Sequence, residues 1–205
     1  MKVHRGNVMV VHEPIRKDPR WQRLVELVKE LAYMRAEDEL FTLASGRQSP
    51  HFFDMKPIMM HPEGSLLLGE LINERLDNWQ PDYVGGLELG AVPLTAIVIS
   101  TSGTSCPRKG FMVRKQSKGR GGRKTNNPPG VEGTGIMGGG TIVVLEDVTT
   151  TGGSSLKAVE RLLQETPCEV LGVITILDRE EGGVAAFADS NLRFEAIMSL
   201  SDIAN

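Results

Sequence analysis

The sequence predicts an α/β fold in which helices flank a central, mostly parallel β-sheet. Beyond residue 80, short runs that are apolar throughout alternate with helical patterns. Strands of this kind, apolar on both faces, are typical of parallel sheets that helices cover on both sides. The chain has 205 residues, of which 40% are hydrophobic and 24% are charged. This size and composition suit one compact domain, residues 20–205, with a modest appendage.

The first third of the chain is predicted to contain two helices. Residues 1–19 form an N-terminal arm with at most one short strand, at Val8–Val11. One helix begins at Pro19, and a second runs over residues 63–77, after polar turn residues at 45–50. In both helices, apolar residues recur at three- and four-residue spacing, which places them on one face. These residues are Trp21, Leu24, Val25, Val28, Leu31 and Ala32 in the first helix, and Leu67, Leu68, Leu71 and Ile72 in the second.

The remaining chain supplies the sheet. The predicted strands are residues 82–87, 110–114, 141–146, 170–177 and 192–197, with helices from about residue 92 and over 154–163. Ligands of open parallel sheets bind beyond the carboxyl ends of the strands, so residues that directly follow strands are the functional candidates. Residues 119–140 contain nine glycines together with Pro128 and Pro129 and fit no regular element. Such a segment inside a compact domain is usually a functional lid or a disordered insertion.

Charge and cysteine usage indicate a cytoplasmic protein without nucleic-acid or membrane partners. The net charge of -3 exerts no general attraction on nucleic acid or anionic membranes. Its two cysteines, Cys106 and Cys168, show neither metal-ligand spacing nor a disulfide framework, which suits a reducing compartment. The apolar run Val8–Val11 is too short for a signal peptide or a transmembrane helix.

The strongest functional signal is the element at residues 141–155, TIVVLEDVTTTGGSS. A buried strand ends in Glu146 and Asp147, and a loop of hydroxyls and glycines leads to a helix that starts near Ser154. Backbone N–H groups at a helix N-terminus attract phosphate, and Gly152 and Gly153 let the backbone approach it closely. The acids suit sugar hydroxyls or a divalent cation. The element therefore predicts a site for a phosphorylated sugar; the alternative is a well-capped strand-to-helix turn.

This element resembles the phosphoribosyl pyrophosphate signature of type I phosphoribosyltransferases. Four further segments resemble those of orotate phosphoribosyltransferases, in the order of that family: Phe41–Asp54, Gly85–Leu94, Phe111–Lys118 and Leu177–Glu180. The resemblance covers roughly residues 20–200. It implies the type I phosphoribosyltransferase fold, with a small N-terminal hood formed largely by residues 20–62 and a mobile catalytic loop at about 115–138.

The resemblance also implies roles for the residues of the sugar-phosphate element. Glu146 and Asp147 would hold the ribose 2- and 3-hydroxyls, and the loop Thr149–Ser154 would wrap the 5-phosphate. Arg114, Lys118 and Asp147 are the predicted catalytic residues. Mg²⁺ is the implied cofactor, held mainly through the substrate, with Asp147 as the candidate direct ligand. The complete predicted phosphoribosyl pyrophosphate site is Arg114, Lys115, Lys118, Arg120, Glu146, Asp147, Val148, Thr149, Thr150, Thr151, Gly152, Gly153 and Ser154.

The base pocket is predicted from the charge of orotate. Its carboxylate needs a cation or oriented amide groups, and the resemblance implies that Arg179 and Thr150 contact orotate. The turn from Ser45 to Ser49 could also hold the carboxylate. Phe52 or Phe53 could stack on the ring, and because adjacent residues of an extended segment point to opposite sides, the other belongs to the core. The predicted orotate site is Thr150, Arg179, Ser45, Phe52 and Phe53.

Two further features have more than one interpretation. Gly85, Gly86 and Gly90 permit close backbone contact with pyrophosphate, although a strand-to-helix turn would explain one of them. Arg47 and Arg179 suit an anionic ligand, but surface ion pairs are the alternative for each.

A basic segment follows the second predicted strand. Residues 114–124 contain six basic residues and no acid. A solvated face and nucleic-acid binding are the alternatives, but no aromatic residue interleaves to stack on bases. A cationic lid over pyrophosphate fits better, and the resemblance implies that Arg114, Lys115 and Lys118 reach the neighbouring subunit's active site in a homodimer. Where the family has Lys-x-His-Gly, this chain has Lys118-Gly-Arg120-Gly; arginine binds pyrophosphate but cannot exchange a proton near neutral pH.

These observations together predict an Mg²⁺-dependent orotate phosphoribosyltransferase. It would form orotidine 5'-phosphate and pyrophosphate from orotate and phosphoribosyl pyrophosphate, in de novo pyrimidine (UMP) biosynthesis. One rival is a phosphoribosyltransferase for another base, which the altered basic loop favours and the segment Phe41–Asp54 opposes. A second is a non-catalytic regulator that senses phosphoribosyl pyrophosphate, for which the short arm offers too little chain for a DNA-reading module. A scaffold role would not need the acids and hydroxyls of residues 146–154.

Overall fold

The computed structural model describes residues 13–43, 46–103, 107–116 and 125–204. Its N-terminal part contains a 3-10 helix (Glu13–Lys17), α1 (Pro19–Leu31), β1 (Tyr33–Arg35), β2 (Phe41–Thr42), β3 (Gln48–Ser49), β4 (His51–Phe53), α2 (Lys56–Met59) and α3 (Pro62–Trp79). Strands β1 and β4 form one small antiparallel sheet, and β2 and β3 form another. Both small sheets lie within the predicted hood. The division into arm, hood and loop stays a prediction, and the predicted strand Val8–Val11 lies outside the described residues.

The second part forms the central sheet. Its elements are β5 (Tyr83–Leu87), α4 (Ala91–Thr101), β6 (Lys109–Val113), β7 (Val131–Gly133), β8 (Thr141–Thr149), α5 (Gly153–Glu165), β9 (Glu169–Asp178), α6 (Gly183–Asp189), β10 (Arg193–Ser199) and α7 (Leu200–Ala204). Six strands pair in the order β10-β9-β8-β5-β6-β7. Every pair is parallel except β6 with β7. The predicted mostly parallel sheet is confirmed.

The strand order creates a switch point between β5 and β8. From β5 the chain continues to β6 on one side, whereas from β8 it continues to β9 and β10 on the other. Helix α4 packs on β5, β6 and β8, and α5 packs on β5, β8 and β9. The carboxyl ends of β9, β8, β5 and β6 therefore lie side by side, and a crevice at the switch point is where open α/β sheets bind ligands.

Helix α1 begins as its sequence predicts and docks on the far edge of the sheet. The Asp18 side chain caps it by accepting the N–H of Arg20 at 2.8 Å, and the buried indole of Trp21 donates to the carbonyl of Ile197 in β10 at 2.7 Å. Leu31, the last residue of α1, is 37% exposed, whereas Leu24 and Val28 of its predicted apolar face are buried. Among the described residues, no helix has the length and apolar character needed to cross a membrane.

Several short elements escaped prediction, among them the strands of the two small sheets, α2, β7, α6 and α7. Strand β7 lies inside the glycine-rich segment 119–140 and pairs with β6. Asn127 folds this segment back: its Oδ1 accepts the N–H of Ile136 at 2.9 Å and its Nδ2 donates to the carbonyl of Thr134 at 2.8 Å. Helix α6 has seven residues, too few to show a helical period against the preceding glycines.

Candidate active site

The start of helix α5 forms a cradle of unpaired backbone donors. Gly152 precedes the helix in the left-handed region, with φ 80°, and a Cβ there would lie 3.0 Å from the Phe187 ring. No side chain caps α5, and its first backbone bond joins the N–H of Leu156 to Gly152. The N–H groups of residues 153–155 therefore have no backbone partner in the described chain, which suits a bound phosphate. A cavity of about 230 Å³ opens here, lined by Glu146, Val148, Thr149, Thr150, Thr151, Gly152, Gly153, Ser154 and Lys157.

Strand β8 continues three residues past the predicted end, to Thr149, so its two acids lie within its last four residues; they have different surroundings. Glu146 is buried, and the Ser155 hydroxyl donates to its Oε2 at 2.7 Å. Burial raises the pKa of the Glu146 carboxyl to about 8; the Ser155 hydrogen bond acts in the opposite direction, and the charge of Asp147 adds to the increase. Asp147 is half-buried, and its Oδ1 accepts the N–H of Val148 at 3.0 Å.

The acids project from opposite sides of β8. Side chains alternate along a strand, so Glu146 meets Ser155 of α5 whereas Asp147 meets the loop that follows β5. A Cβ at Gly90 in that loop would lie 2.2 Å from the Asp147 carboxyl. Glycine at this position therefore lets the loop after β5 and the end of β8 close on one another.

The oxygen donors fit a hard cation only in part. In the described part of the chain, no three His, Cys, Asp or Glu side chains gather into a metal cluster. Glu146 lines the phosphate-sized cavity, and the Asp147 carboxyl lies on the other side of β8, beside Gly90. Mg²⁺ commonly binds through one or two carboxylates together with substrate phosphates and water. These carboxyls suit Mg²⁺ only where a phosphorylated substrate supplies the remaining ligands.

Gly85 and Gly86 do not serve the role that their sequence context suggested. Both are buried within β5. A Cβ at Gly85 would lie 2.0 Å from the carbonyl oxygen of Phe111, and one at Gly86 would lie 2.1 Å from that of Leu145. Glycine is required at both positions because the neighbouring strands approach closely. Only Gly90 of the three lies at the edge of the site.

Arg114 and Lys115 follow β6 at the same edge of the sheet. The N–H of Lys115 donates to Oε1 of Glu88 at 2.8 Å, which ties the basic segment to the loop after β5. The Arg114 guanidinium pairs with Glu132 of β7 at 3.2 Å, and Arg161 of α5 donates to the Arg114 carbonyl at 2.7 Å. The start of the basic segment is thus fixed two strands from β8, about 10 Å by strand spacing. The predicted residues Lys118 and Arg120 lie outside the described residues.

Arg179 links the hood to the sheet. It follows β9, is 3% exposed, and donates through Nη2 to the Ser49 hydroxyl at 2.9 Å and the His51 carbonyl at 3.0 Å. Its Nε donates to Glu181 at 2.8 Å. The side chains of this Arg179–Glu181 ion pair are 3% and 18% exposed. The alternative interpretation of Arg179, as a surface ion-pair partner, is therefore wrong. Arg47 matches that alternative: its side chain is 59% exposed and lies 3.4 Å from Glu181.

The two phenylalanines of β4 divide as alternation predicts. Phe53 is buried, its ring stacks on Tyr33 at 5.0 Å between centroids, and the Arg179 guanidinium lies 5.7 Å from it. Phe52 is half-buried and its ring lies 5.4 Å from that of Phe41. Phe53 is therefore the core residue of the pair. Ser45, also predicted for this pocket, lies outside the described residues.

Sequence reasoning missed three polar residues at the site. Lys157 lines the cradle one turn into α5, and its spacing of three from Ser154 was the available signal. Ser155 bonds to Glu146, and Glu181 bonds to Arg179. The partners of Ser155 and Glu181 are set by contacts between elements, which residue spacing does not reveal.

A buried polar pair lies where β8 and β9 end. Thr149 and Asp178 are register partners in these strands, and both are fully buried. Thr149 Oγ1 and Asp178 Oδ2 have no hydrogen-bond partner among the described residues. Burial raises the pKa of Asp178; the Glu180 N–H that it accepts acts in the opposite direction, and the charges of Glu180 and Glu181 add to the increase.

Comparison with known proteins agrees with this geometry. The family model for the phosphoribosyl transferase domain matches residues 58–190. An orotate phosphoribosyltransferase of Bradyrhizobium sp. (strain ORS 278) is 46% identical over 176 residues, which are 85% of this chain and 92% of that protein. A phosphoribosyltransferase from Corynebacterium diphtheriae superposes with a TM-score of 0.77 at 33% identity, covering 92% of this chain and 100% of that one.

A solved structure of a relative also contains one of the predicted substrates. Mycobacterium tuberculosis H37Rv orotate phosphoribosyltransferase in complex with 5-phospho-alpha-D-ribosyl 1-diphosphate superposes with a TM-score of 0.73 at 32% identity. The match covers 91% of this chain and 100% of that one. With the family match and the identity to curated relatives, the chain belongs to the orotate phosphoribosyltransferases of the phosphoribosyltransferase family.

Proposed function

We propose that this chain joins the ribose 5-phosphate of phosphoribosyl pyrophosphate to orotate, forming orotidine 5'-phosphate and pyrophosphate. One observation carries the proposal: an uncapped helix N-terminus with two acids lies at the end of β8, and a buried arginine lies at the end of the neighbouring strand β9. The first suits a phosphorylated pentose, and the second suits the carboxylate of an anionic base.

The sugar is assigned to the cradle at α5. The N–H groups and hydroxyls from Thr149 to Ser154 wrap the 5-phosphate, and Lys157 adds a positive charge at the mouth. Glu146 and Asp147 accept the hydrogen bonds of the ribose 2- and 3-hydroxyls. Because these acids extend from opposite sides of β8, they fix the ring above the end of the strand.

Orotate is assigned to the space between Arg179 and the hood. Arg179 faces its carboxylate, Thr150 lies at the adjoining strand end, and Phe52 is the aromatic ring of β4 that the core does not fully bury. This assignment places the base next to the sugar because β8 and β9 are neighbours in the sheet.

The reaction needs charge stabilisation more than it needs a nucleophile on the protein. Breakage of the C1–O bond gives an oxocarbenium-like sugar, and a ring nitrogen of orotate attacks C1 with inversion. Arg114 and Lys115 at the end of β6, with Lys118 and Arg120 beyond them, stabilise charge on the departing pyrophosphate. Mg²⁺ held mainly through the substrate would neutralise part of that charge, and Asp147 is the candidate side chain for a direct contact with it. Residues 125–138 are part of the fold through β7 and Asn127, so a lid that excludes water from the activated sugar is confined to the basic segment that follows Arg114.

We further propose that the protein acts as a homodimer. The basic segment starts at the end of β6, which β5 separates from β8 and from the cradle of the same chain. A second copy would receive that segment over its own pyrophosphate. Concentration-dependent activity, together with mass measured by light scattering, tests this arrangement: full specific activity in a monomer excludes it.

The decisive assay measures pyrophosphate release with orotate, uracil, adenine and hypoxanthine as acceptors, with and without Mg²⁺. We expect release with orotate alone, and loss on removal of Mg²⁺. Asp147→Asn keeps the shape of the side chain but removes its charge, so we expect a loss of about a hundredfold in kcat/KM, as for one group that stabilises a transition state. Turnover of only another base would refute the substrate. Tight binding of phosphoribosyl pyrophosphate without turnover of any base would favour a sensor.

A further inference from the structure

The hydrogen bonds of Arg179 leave one guanidinium nitrogen for a ligand. A guanidinium has five N–H donors. Nε donates to Glu181, and Nη2 donates to both Ser49 and His51. Nη1 has no hydrogen-bond partner in the described part of the chain. Arg179 is 3% exposed, so its surroundings, rather than water, determine how the guanidinium is oriented.

Glu181 connects two arginines from different parts of the fold. Its Oε1 accepts from Nε of Arg179 at 2.8 Å, and its Oε2 lies 3.4 Å from Nη1 of Arg47. Arg179 ends β9 of the central sheet, whereas Arg47 belongs to the turn between β2 and β3 of the hood. The Glu181 side chain is only 18% exposed, so the carboxylate is enclosed between the two parts.

We infer that Glu181 is a positioning residue for the base: it fixes Arg179 with Nη1 directed to orotate and attaches the hood above it. The inference deepens the proposed function and rests on it. Without the carboxylate, Nε of a buried guanidinium loses a charge-assisted bond, and the side chain would turn to recover one. Ser49 and His51 restrain Nη2 alone, and one restrained nitrogen does not fix the plane of the group.

Glu181 and the two arginines that it contacts also determine the net charge next to the base. Arg47, Arg179 and Glu181 together carry one net positive charge, which matches the single carboxylate of orotate. If Glu181 served only as a counter-charge, its neutralisation would strengthen orotate binding. If it positions Arg179, its neutralisation weakens orotate binding despite the added positive charge. The two roles therefore predict opposite changes.

The test replaces Glu181 by glutamine and by aspartate and measures kcat and KM for both substrates. For Glu181→Gln we expect KM for orotate to rise about threefold to tenfold, because the amide oxygen can still accept from Nε of Arg179 but no longer brings the charge that strengthens this bond. The dissociation constant for phosphoribosyl pyrophosphate, from calorimetry, should stay within twofold. Glu181→Asp keeps the charge and should recover part of the loss.

Glu180→Gln is the matched control. Glu180 precedes Glu181 and is exposed, and its Oε2 accepts from the backbone and hydroxyl of Ser201, not from either arginine. We expect its kinetics to equal those of the unaltered protein. An unchanged or lower KM for orotate in Glu181→Gln would overturn the positioning role, and so would parallel losses in both substrates with a lowered Tm. Arg179→Lys tests the base pocket separately from the role of Glu181. An unchanged KM for orotate in this variant would refute the assignment of orotate to Arg179.

Discussion

Replacement of Ser155 by alanine tests how the sugar site controls its buried acid. The Ser155 hydroxyl is buried and donates to Glu146 Oε2 at 2.7 Å. Its loss removes the hydrogen bond that opposes the rise in the Glu146 pKa, which burial already raises to about 8. The pKa in Ser155→Ala must therefore move higher still. A hydrogen bond to a charged group contributes about 1.5–3 kcal/mol, against about 1 kcal/mol for a neutral pair.

The sign of the pH dependence follows from linkage. A carboxyl with its pKa raised from 4.5 to about 8 binds more protons in the folded state, so its contribution to the free energy of unfolding decreases as pH rises through that window. The Glu146 carboxyl accepts the Ser155 hydrogen bond in its neutral form at pH 6 and as a carboxylate at pH 9. We expect the substitution to lower the free energy of unfolding by about 1 kcal/mol at pH 6 and by about 1.5–3 kcal/mol at pH 9.

Denaturant unfolding at the two pH values measures this difference. Ser154→Ala is the matched stability control, because Ser154 occupies the same turn but is exposed; surface changes of this kind stay within about 0.5 kcal/mol. The pH profile of kcat/KM for phosphoribosyl pyrophosphate gives a second readout. Its rising limb should move to higher pH in Ser155→Ala, because ribose hydroxyls donate to the ionised acid. Equal destabilisation at both pH values, with an unmoved rising limb, would refute the reasoning.

Three further substitutions probe the cradle and its support. Gly152→Ala places a side chain at φ 80° and 3.0 Å from Phe187, so we expect a loss of about 1–3 kcal/mol of stability in thermal unfolding and weaker binding of ribose 5-phosphate in calorimetry. Lys157→Ala should lower the affinity for ribose 5-phosphate about threefold to tenfold. The affinity should also depend less on salt concentration, because one exposed charge is removed. Trp21→Phe loses the 2.7 Å bond to Ile197 and should lower the free energy of unfolding by about 1–3 kcal/mol in urea, since a buried carbonyl is left unpaired.

The sugar site could be predicted because its signals are local. The apolar run that starts β8, the two acids that follow this run and the glycines at the start of α5 lie within fifteen residues. Each of these features has a physical meaning that does not depend on the rest of the fold. The sheet was predictable for the same reason, since strands buried on both faces read as unbroken apolar runs.

Features that depend on contacts between elements could not be predicted in the same way. Gly85 and Gly86 resembled ligand-binding glycines, but their role follows from Phe111 and Leu145 on adjacent strands. Arg179 and Ser49 are 130 residues apart in sequence yet share a hydrogen bond. Residue spacing reveals neither the register of the strands nor the closure of the hood. The contacts that hold Arg179 against the hood are therefore visible only in the structure.

The docking of α1 has a consequence for synthesis on the ribosome. Trp21 is translated early, but the carbonyl that receives its indole belongs to Ile197, 176 positions later. Arg16 likewise pairs with Asp202 at 2.8 Å. Helix α1 can pack early against α2 and α3, but the part of its apolar face around Trp21 stays uncovered until β10 has been made. During that interval a nascent chain of this protein is a natural client for chaperones that shield apolar helices.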